Sequence, residues 1–260
     1  MPTVPAAVAE TSTPPLRGAR LPLTAIYDLF GDGVVRHGPF AGLRYPLLQS
    51  VGSSLFPKLL GSYERELHPW IAEVCAGHYT EVVDVGCAEG YYAVGLARCV
   101  PQARVYAYDT DARARELCAS AARLNGVETR LDVRETFEVA ALSGIERRGR
   151  GLIVCDCEGA ELALFTAETA PLCAGWDLLI ETHDFMDLTA STRLQARFAP
   201  THEVRACLSV DDIQKAKHYD YPELRPLDLE TRRTIVGEGR PAIMEWLFFT
   251  ARTAASGRSC

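Results

Sequence analysis

The chain has no apolar run approaching 18 residues, no cysteines at C-x-x-C spacing, no basic stripe and no internal repeat. The first absence excludes a transmembrane helix. The second excludes the usual zinc ligand spacing, and Cys155-x-Cys157 is too tight to replace it. The nine cysteines are an odd number and fall at strand and helix positions such as Cys99, Cys118 and Cys207. They read as buried reduced thiols, which points to a reducing, cytoplasmic setting. A formal net charge of −7 without a basic stripe argues against a nucleic-acid partner. The N-terminus has no basic region leading into an apolar core, so no signal peptide is expected. What is present is ordinary globular material. With 48% hydrophobic residues in 260, it suffices for one large domain, or one domain with an appendage.

Three segments are expected. Residues 1–20, rich in Pro, Ala and Thr, read as a disordered tail. Residues 21–78 read as a helical cover. It would hold a short helix from Leu23 to Phe30, a hairpin between Val34 and Tyr45, and a helix from Lys58 to Ala76 with an apolar side of Leu59, Leu60, Tyr63, Leu67, Trp70, Ile71 and Val74. From residue 79 to 260 the periodicity changes. Strands are expected at 80–85, 103–109, 128–133, 151–156, 177–182, 203–209 and 244–251. Helices are expected at 90–99, 111–124, 136–144, 159–168 and 189–199. Such alternation means βαβ units, and so an α/β, Rossmann-like, doubly wound seven-stranded sheet, mostly parallel. The last strand reads as a hairpin-type edge. Residues 210–240 read as a polar, irregular insertion over the active-site end.

The segment Glu81-Val82-Val83-Asp84-Val85-Gly86-Cys87-Ala88-Glu89-Gly90-Tyr91 carries the most information. An apolar strand ends in an acid, and two glycines four apart then lead into a helix. This is the strand–tight turn–helix of a nucleotide-binding sheet. Tyr91 stands where a dinucleotide site needs a third glycine. Asp84 and Glu89 would repel a pyrophosphate at the helix start. The same carboxylates suit a nucleoside without phosphate and with a cationic amino-acid end, which describes S-adenosylmethionine (SAM). Val105-Tyr106-Ala107-Tyr108-Asp109 ends 19 residues after Gly90 in an acid placed to accept from ribose hydroxyls. The competing role for Asp109 is a cap on the next helix.

Asp84-x-Gly86-x-Ala88-x-Gly90 together with Asp109 resembles the first motifs of class I SAM-dependent methyltransferases, over roughly residues 80–251. Ala88 replaces the usual middle glycine. Asp156-Cys157-Glu158-Gly159-Ala160-Glu161, followed by Glu181-Thr182-His183, resembles the signature of FkbM-type methyltransferases, mostly O-methyltransferases of small molecules and sugars. The resemblance implies SAM as cofactor and a small-molecule acceptor. Gly86 and its turn would meet the methionine part. Glu89 and Gly90 would complete the turn, Tyr63 and Glu64 would cover the amino-acid end, and Glu135 and Thr136 would meet adenine.

Asp156, Glu181 and His183 are the expected catalytic group, because neighbouring strands deliver them to one crevice. His183 is a natural general base for a hydroxyl nucleophile. The alternative is Mg²⁺ held by Asp156, Glu181 and Asp184. Mg²⁺ is not favoured, because Glu181 and His183 do not reproduce the paired acid and amide that metal-dependent catechol-type enzymes place after this strand. Glu158 and Glu161 also suit a helix first turn as plain dipole partners, and a core or solvent role for His183 stays open. Other readings are N- or C-methylation, cyclisation or cleavage of the methionine chain, and a non-catalytic SAM-binding partner. No membrane partner is expected, and a homodimer is compatible with the sequence.

Overall fold

The computed structural model describes residues 18–252. The tail expected at 1–20 therefore lies outside the described residues for its first 17 positions. Ala19 is held by a short parallel bridge to Leu227. The sheet strands are β1 Tyr79–Val85, β2 Arg104–Tyr108, β3 Leu131–Arg134, β4 Arg150–Cys155, β5 Trp176–Thr182, β6 His202–Leu208 and β7 Glu245–Ala251. Their order is β3-β2-β1-β4-β5-β7-β6. Strands β1 to β5 are mutually parallel, and β7 runs antiparallel to both β5 and β6. The final strand is thus inserted beside β5, and β6 is the edge. The expectation of an edge strand at the C-terminus is corrected: Trp246, Leu247, Phe248 and Phe249 are all buried, and an edge position would leave such a run half-wet.

Strand periodicity divides the core in two. Val82, Val105, Leu152, Val154 and Leu179 face one side, while Val83, Val85, Ile153, Cys155, Leu178 and Ile180 face the other. The first side is shared with Ile26, Phe30, Phe40, Leu59, Leu60, Leu67 and Ile71 from residues 21–78. The N-terminal segment is therefore packed into the same core as the sheet. Asp84, Asp156 and Glu181 have the parity of this covered face. That parity is what turns their carboxylates toward the cover.

The cover departs from the expected helices. In place of one helix over 58–76 there are α1 Leu23–Leu29, α2 Leu55–Leu60, a 3-10 turn at Arg65–Leu67 and α3 His68–Ala76. The break is at Gly61, which ends α2 in the left-handed region at φ 81°, where a Cβ would overlap the His37 carbonyl. Glu64 is also left-handed, at φ 47°. The hairpin of 34–45 is reduced to one bridge, Val34 to Arg44.

In the sheet domain α4 is Tyr91–Cys99 and α5 is Ala112–Leu124, close to expectation. The helix expected at 136–144 is only a 3-10 stretch, Val139–Gly144. That expected at 159–168 shrinks to α6 Glu161–Leu164. The next helix, α7, is Ala190–Phe198. The segment 210–240 is not irregular. It holds α8 Asp212–His218 and α9 Leu229–Val236, capped by Asp211 and Asp228. Their buried Ala216, Ile235 and Val236 join the covered-face core. No described helix is long and apolar enough to cross a membrane. The eight cysteines among the described residues are all free thiols.

Candidate active site

The chain leaves the central strand β1 for β2 on one side and later returns to β4 on the other. At that switch point the C-terminal strand ends open into a cavity of about 560 Å³, within the range of small-molecule sites. The turn after β1 is fixed by backbone bonds. Gly86 and Cys87 both donate to the Tyr108 carbonyl, at 2.9 and 3.0 Å, and Asp156 N–H donates to the Val85 carbonyl at 2.9 Å. Gly86 has φ 84°, and a Cβ there would overlap the carbonyl oxygen of Asp156. Its need for glycine therefore comes from the crossing of two backbones, not only from passage of a ligand. Ala88 tolerates φ 48°, and Gly90 at φ 99° sits against Cys118.

Asp109 lines the cavity. Its Oδ2 accepts from Ala88 N–H at 2.8 Å, and its Oδ1 from Asp111 N–H at 2.8 Å. Capping of α5 falls to Asp111, whose side chain accepts from Arg113 N–H. Asp84, Gly86, Ala88, Tyr63, Glu135, Thr136 and Asp156 also line the cavity. Gly90 and Glu89 do not. Glu89 is buried with Lys58, Nζ to Oε1 2.6 Å, and accepts from Ser50, Tyr45 and Val51 N–H. Its charge is answered inside the protein, so it ties down the cover and exerts no repulsion on a ligand. This corrects its expected role and leaves Asp84 as the acid of the turn. Asp84 Oδ2 is buried without a hydrogen-bond partner. Burial first, then Asp156, push its carboxyl up to about 8.

The acceptor end is assembled from distant segments. Arg240, from the loop before β7, donates to Glu181 and Glu64 and, at 2.9 Å, to Glu238. Tyr92 OH donates to the second oxygen of Glu64. Lys215 on α8 lies 2.5 Å from Glu238. Burial and Asp156 push Glu181 well above the usual carboxylate range against the pull of Arg240. Burial likewise lifts Glu64 to about 7, against the same pull.

His183 is 3% exposed and lines the cavity. Its Nδ1 lies 2.8 Å from Glu161 Oε1, and its Nε2 lies 3.8 Å from Asp156 Oδ1 and 4.0 Å from Glu181 Oε2. Burial opposes charge on the ring, but Glu161, Asp156 and Glu158 outweigh it and raise its proton affinity. Asp156, Glu181 and His183 are thus brought together. Asp184 is not with them: it accepts from Thr182 Oγ1 and Ser191 N–H and turns away, so the set Asp156, Glu181 and Asp184 is not assembled.

Sequence reasoning missed Arg240, Glu238, Tyr92 and the aromatic wall of Tyr108 and Phe137, whose rings are 5.1 Å apart. Tyr108 immediately precedes the ribose-type acid. Arg240 carries no motif, only a charge in a glycine-flanked stretch before a strand.

Residues 71–155 match the family model described as Methyltransferase small domain. No curated protein matches the chain. Among solved structures, the METTL16 MTase domain is 10% identical with a TM-score of 0.52, covering 87% of this chain and 79% of that one. An O-methyltransferase from Bacillus cereus in complex with SAH is 14% identical, TM-score 0.47, covering 69% and 78%. The O-methyltransferase TomG from Streptomyces achromogenes, in complex with SAM, is 13% identical, TM-score 0.46, covering 73% and 80%. The fold is that of class I methyltransferases. Fold, family match and site together define a SAM-dependent methyltransferase domain. The residues present fit SAM: a tight left-handed turn, an unpartnered buried carboxylate oxygen on Asp84, an acid at the end of β2 and an aromatic wall.

Proposed function

We propose that the protein methylates a hydroxyl of a small-molecule acceptor, as the FkbM-like motif implies. One observation carries the reading: a single cavity runs from Asp109 and the glycine turn to Asp156, Glu181 and His183. A bound cofactor and an acceptor can therefore share one enclosure. SAM held there supplies a methyl group on a sulfonium. Asp109 meets the ribose hydroxyls, Tyr108 and Phe137 flank the base, and Asp84 with the turn meets the amino-acid end.

The acceptor end offers polar atoms with spare capacity. Asp156 Oδ1 is buried without a partner, and His183 Nε2 points to the same place. A hydroxyl entering there donates to one of them and is held in line for transfer. A histidine that holds its proton more tightly is a stronger base once free, although less of it is free at a given pH. Phe185 lines the mouth, and Met186 and Leu188 beside it are exposed. This apolar rim supports an acceptor with an apolar body and a polar end.

The test is incubation with SAM, with and without a panel of hydroxylated small molecules, read by mass spectrometry. S-adenosylhomocysteine should appear only with an acceptor, together with a product heavier by one methylene. Methylthioadenosine without acceptor would replace this reading by chemistry on the methionine chain.

A further inference from the structure

Two groups of carboxylates and histidine stand at the acceptor end, and they differ in one respect. Glu64, Asp156 and Glu181 place carboxylate oxygens within 4.8 Å of one another. Arg240 already bonds two of these three acids, so a cation is in place. The second group, Asp156, Glu158 and His183, meets the same spacing, and among the described residues neither of its acids forms an ion pair with an arginine or lysine. His183 Nε2 is 3.5 Å from Glu158 Oε2 and 3.8 Å from Asp156 Oδ1. Ligand atoms held about 2.1 Å from one ion lie roughly 3.0–3.4 Å apart. The two histidine edges therefore need to contract by only a few tenths of an ångström; the third, between Asp156 and Glu158, lies within 4.8 Å, and the exposed Glu158 side chain is free to close it.

The second observation is the state of the imidazole. His183 is 97% buried by its 3% exposure, yet Nε2 makes no hydrogen bond among the described residues and is aimed at the two carboxylates. Its other nitrogen lies 2.8 Å from the buried Glu161 Oε1, close but off the hydrogen-bond angle, so that a small turn of either side chain completes the contact. A carboxylate behind the far nitrogen, with the near one presented outward, is how a metal-binding histidine is oriented and kept in one tautomer. Glu161 is itself steadied by Gly159 N–H at 3.0 Å.

We propose that Asp156, Glu158 and His183 form a binding site for a divalent transition-metal ion, with Glu161 as the positioning residue behind His183. One imidazole and two carboxylates suit Mn²⁺ or Zn²⁺ better than Mg²⁺, which prefers oxygen ligands and retained water. The site opens on the acceptor end of the cavity. The bound ion would take the place of Asp156 Oδ1 and His183 Nε2 as the partner of the acceptor hydroxyl and lower its proton affinity so that the proton can pass to solvent, which rests on the methyl-transfer reading above. Arg240 keeps the neighbouring Glu64 and Glu181 from competing for the ion.

Mn²⁺ titrated into the full-length protein tests this, with free Mn²⁺ read by electron paramagnetic resonance. The wild type should bind one ion per chain, undisturbed by an equal concentration of Mg²⁺. Glu158→Gln lies at the surface and leaves the fold alone. It should weaken binding at least about tenfold, as should His183→Gln and Glu161→Gln. No uptake of Mn²⁺, or uptake unchanged in Glu158→Gln and His183→Gln, overturns the site. SAM binding is measured by calorimetry on the same samples. SAM binding without Mn²⁺ uptake refutes the metal site and leaves the transferase reading standing, whereas loss of both refutes the transferase reading.

Discussion

The two ends of the cavity are built on different plans. The cofactor end is local: strand, turn and helix from residues 79–99, locked to β2 and β4 by backbone bonds and by the fit of Gly86 under Asp156. The acceptor end is assembled across the chain. Arg240 reaches Glu64, 176 positions earlier, and Glu181, 59 positions earlier. One end is a shape that the backbone cannot relax. The other is a balance of buried charges that any one member can upset. The first plan tolerates little variation, while the second lets each charge be changed together with its partners.

The largest effect should come from breaking the shape. Gly86→Ala places a Cβ on the Asp156 carbonyl and asks alanine to adopt φ 84°. The expected cost exceeds about 4 kcal/mol, in the range of exceptional single substitutions. Gly126→Ala is the control. Its φ is 68° and nothing lies within 4 Å of its Cβ position, so only the backbone term of about 1–2 kcal/mol applies. Urea unfolding of both variants measures the difference. Equal costs would mean that the crossing of β1 and β4 is not what fixes the turn.

The next effect comes from breaking the charge balance. Arg240→Met leaves Glu64 and Glu181 buried without their cation, and Glu238 with Lys215 alone. Removing one partner of a buried pair typically costs about 3–5 kcal/mol. The deficit should shrink as the pH falls, because Glu64, near 7, and Glu181, well above the usual range, then take up protons. Adding Glu64→Gln and Glu181→Gln should recover part of the loss at pH 8. A deficit independent of pH, with no recovery, would assign Arg240 a packing role instead.

The same contrast explains what could be read without coordinates. Strand periodicity located all seven strands to within a few residues, and Asp84, Gly86, Ala88 and Asp109 lie where a local motif puts them. Convergence of Asp156, Glu181 and His183 also followed, because β4 and β5 are parallel neighbours whose C-terminal ends lie side by side. Arg240 did not follow, since nothing in the periodicity of residues 210–240 says which acid it meets. Glu89 was misplaced for a related reason. The sequence shows a carboxylate in the turn but not Lys58, 31 residues earlier, which neutralises it. The helix expected over 58–76 failed at Gly61 because its apolar pattern continues through a left-handed residue. The position of β7 was missed because a C-terminal hydrophobic strand reads the same at an edge as in an interior.

Asp84 is the exception that sharpens the comparison, being a buried carboxyl with one oxygen unpartnered at the end otherwise held by shape. Its folded value of about 8 stands against 3.8 for the free side chain, raised by burial, then by Asp156 and, more weakly, Asp109. The fold therefore holds a proton that the unfolded chain gives up above pH 4. The resulting stability is complete below about pH 4 and is lost as the pH rises toward 8. Asp84→Asn keeps the shape and removes the titration. Its stability should decline less between pH 5 and 8 than that of the wild type, leaving the variant more stable at pH 8 by about 1–3 kcal/mol. Urea melts of both proteins at pH 5, 6.5 and 8 decide it. Parallel curves would mean that Asp84 is ionised in the fold and that some group in the cavity pairs with it. In that case the cofactor end would also depend on a charge balance, and the division between the two ends would fail at this residue.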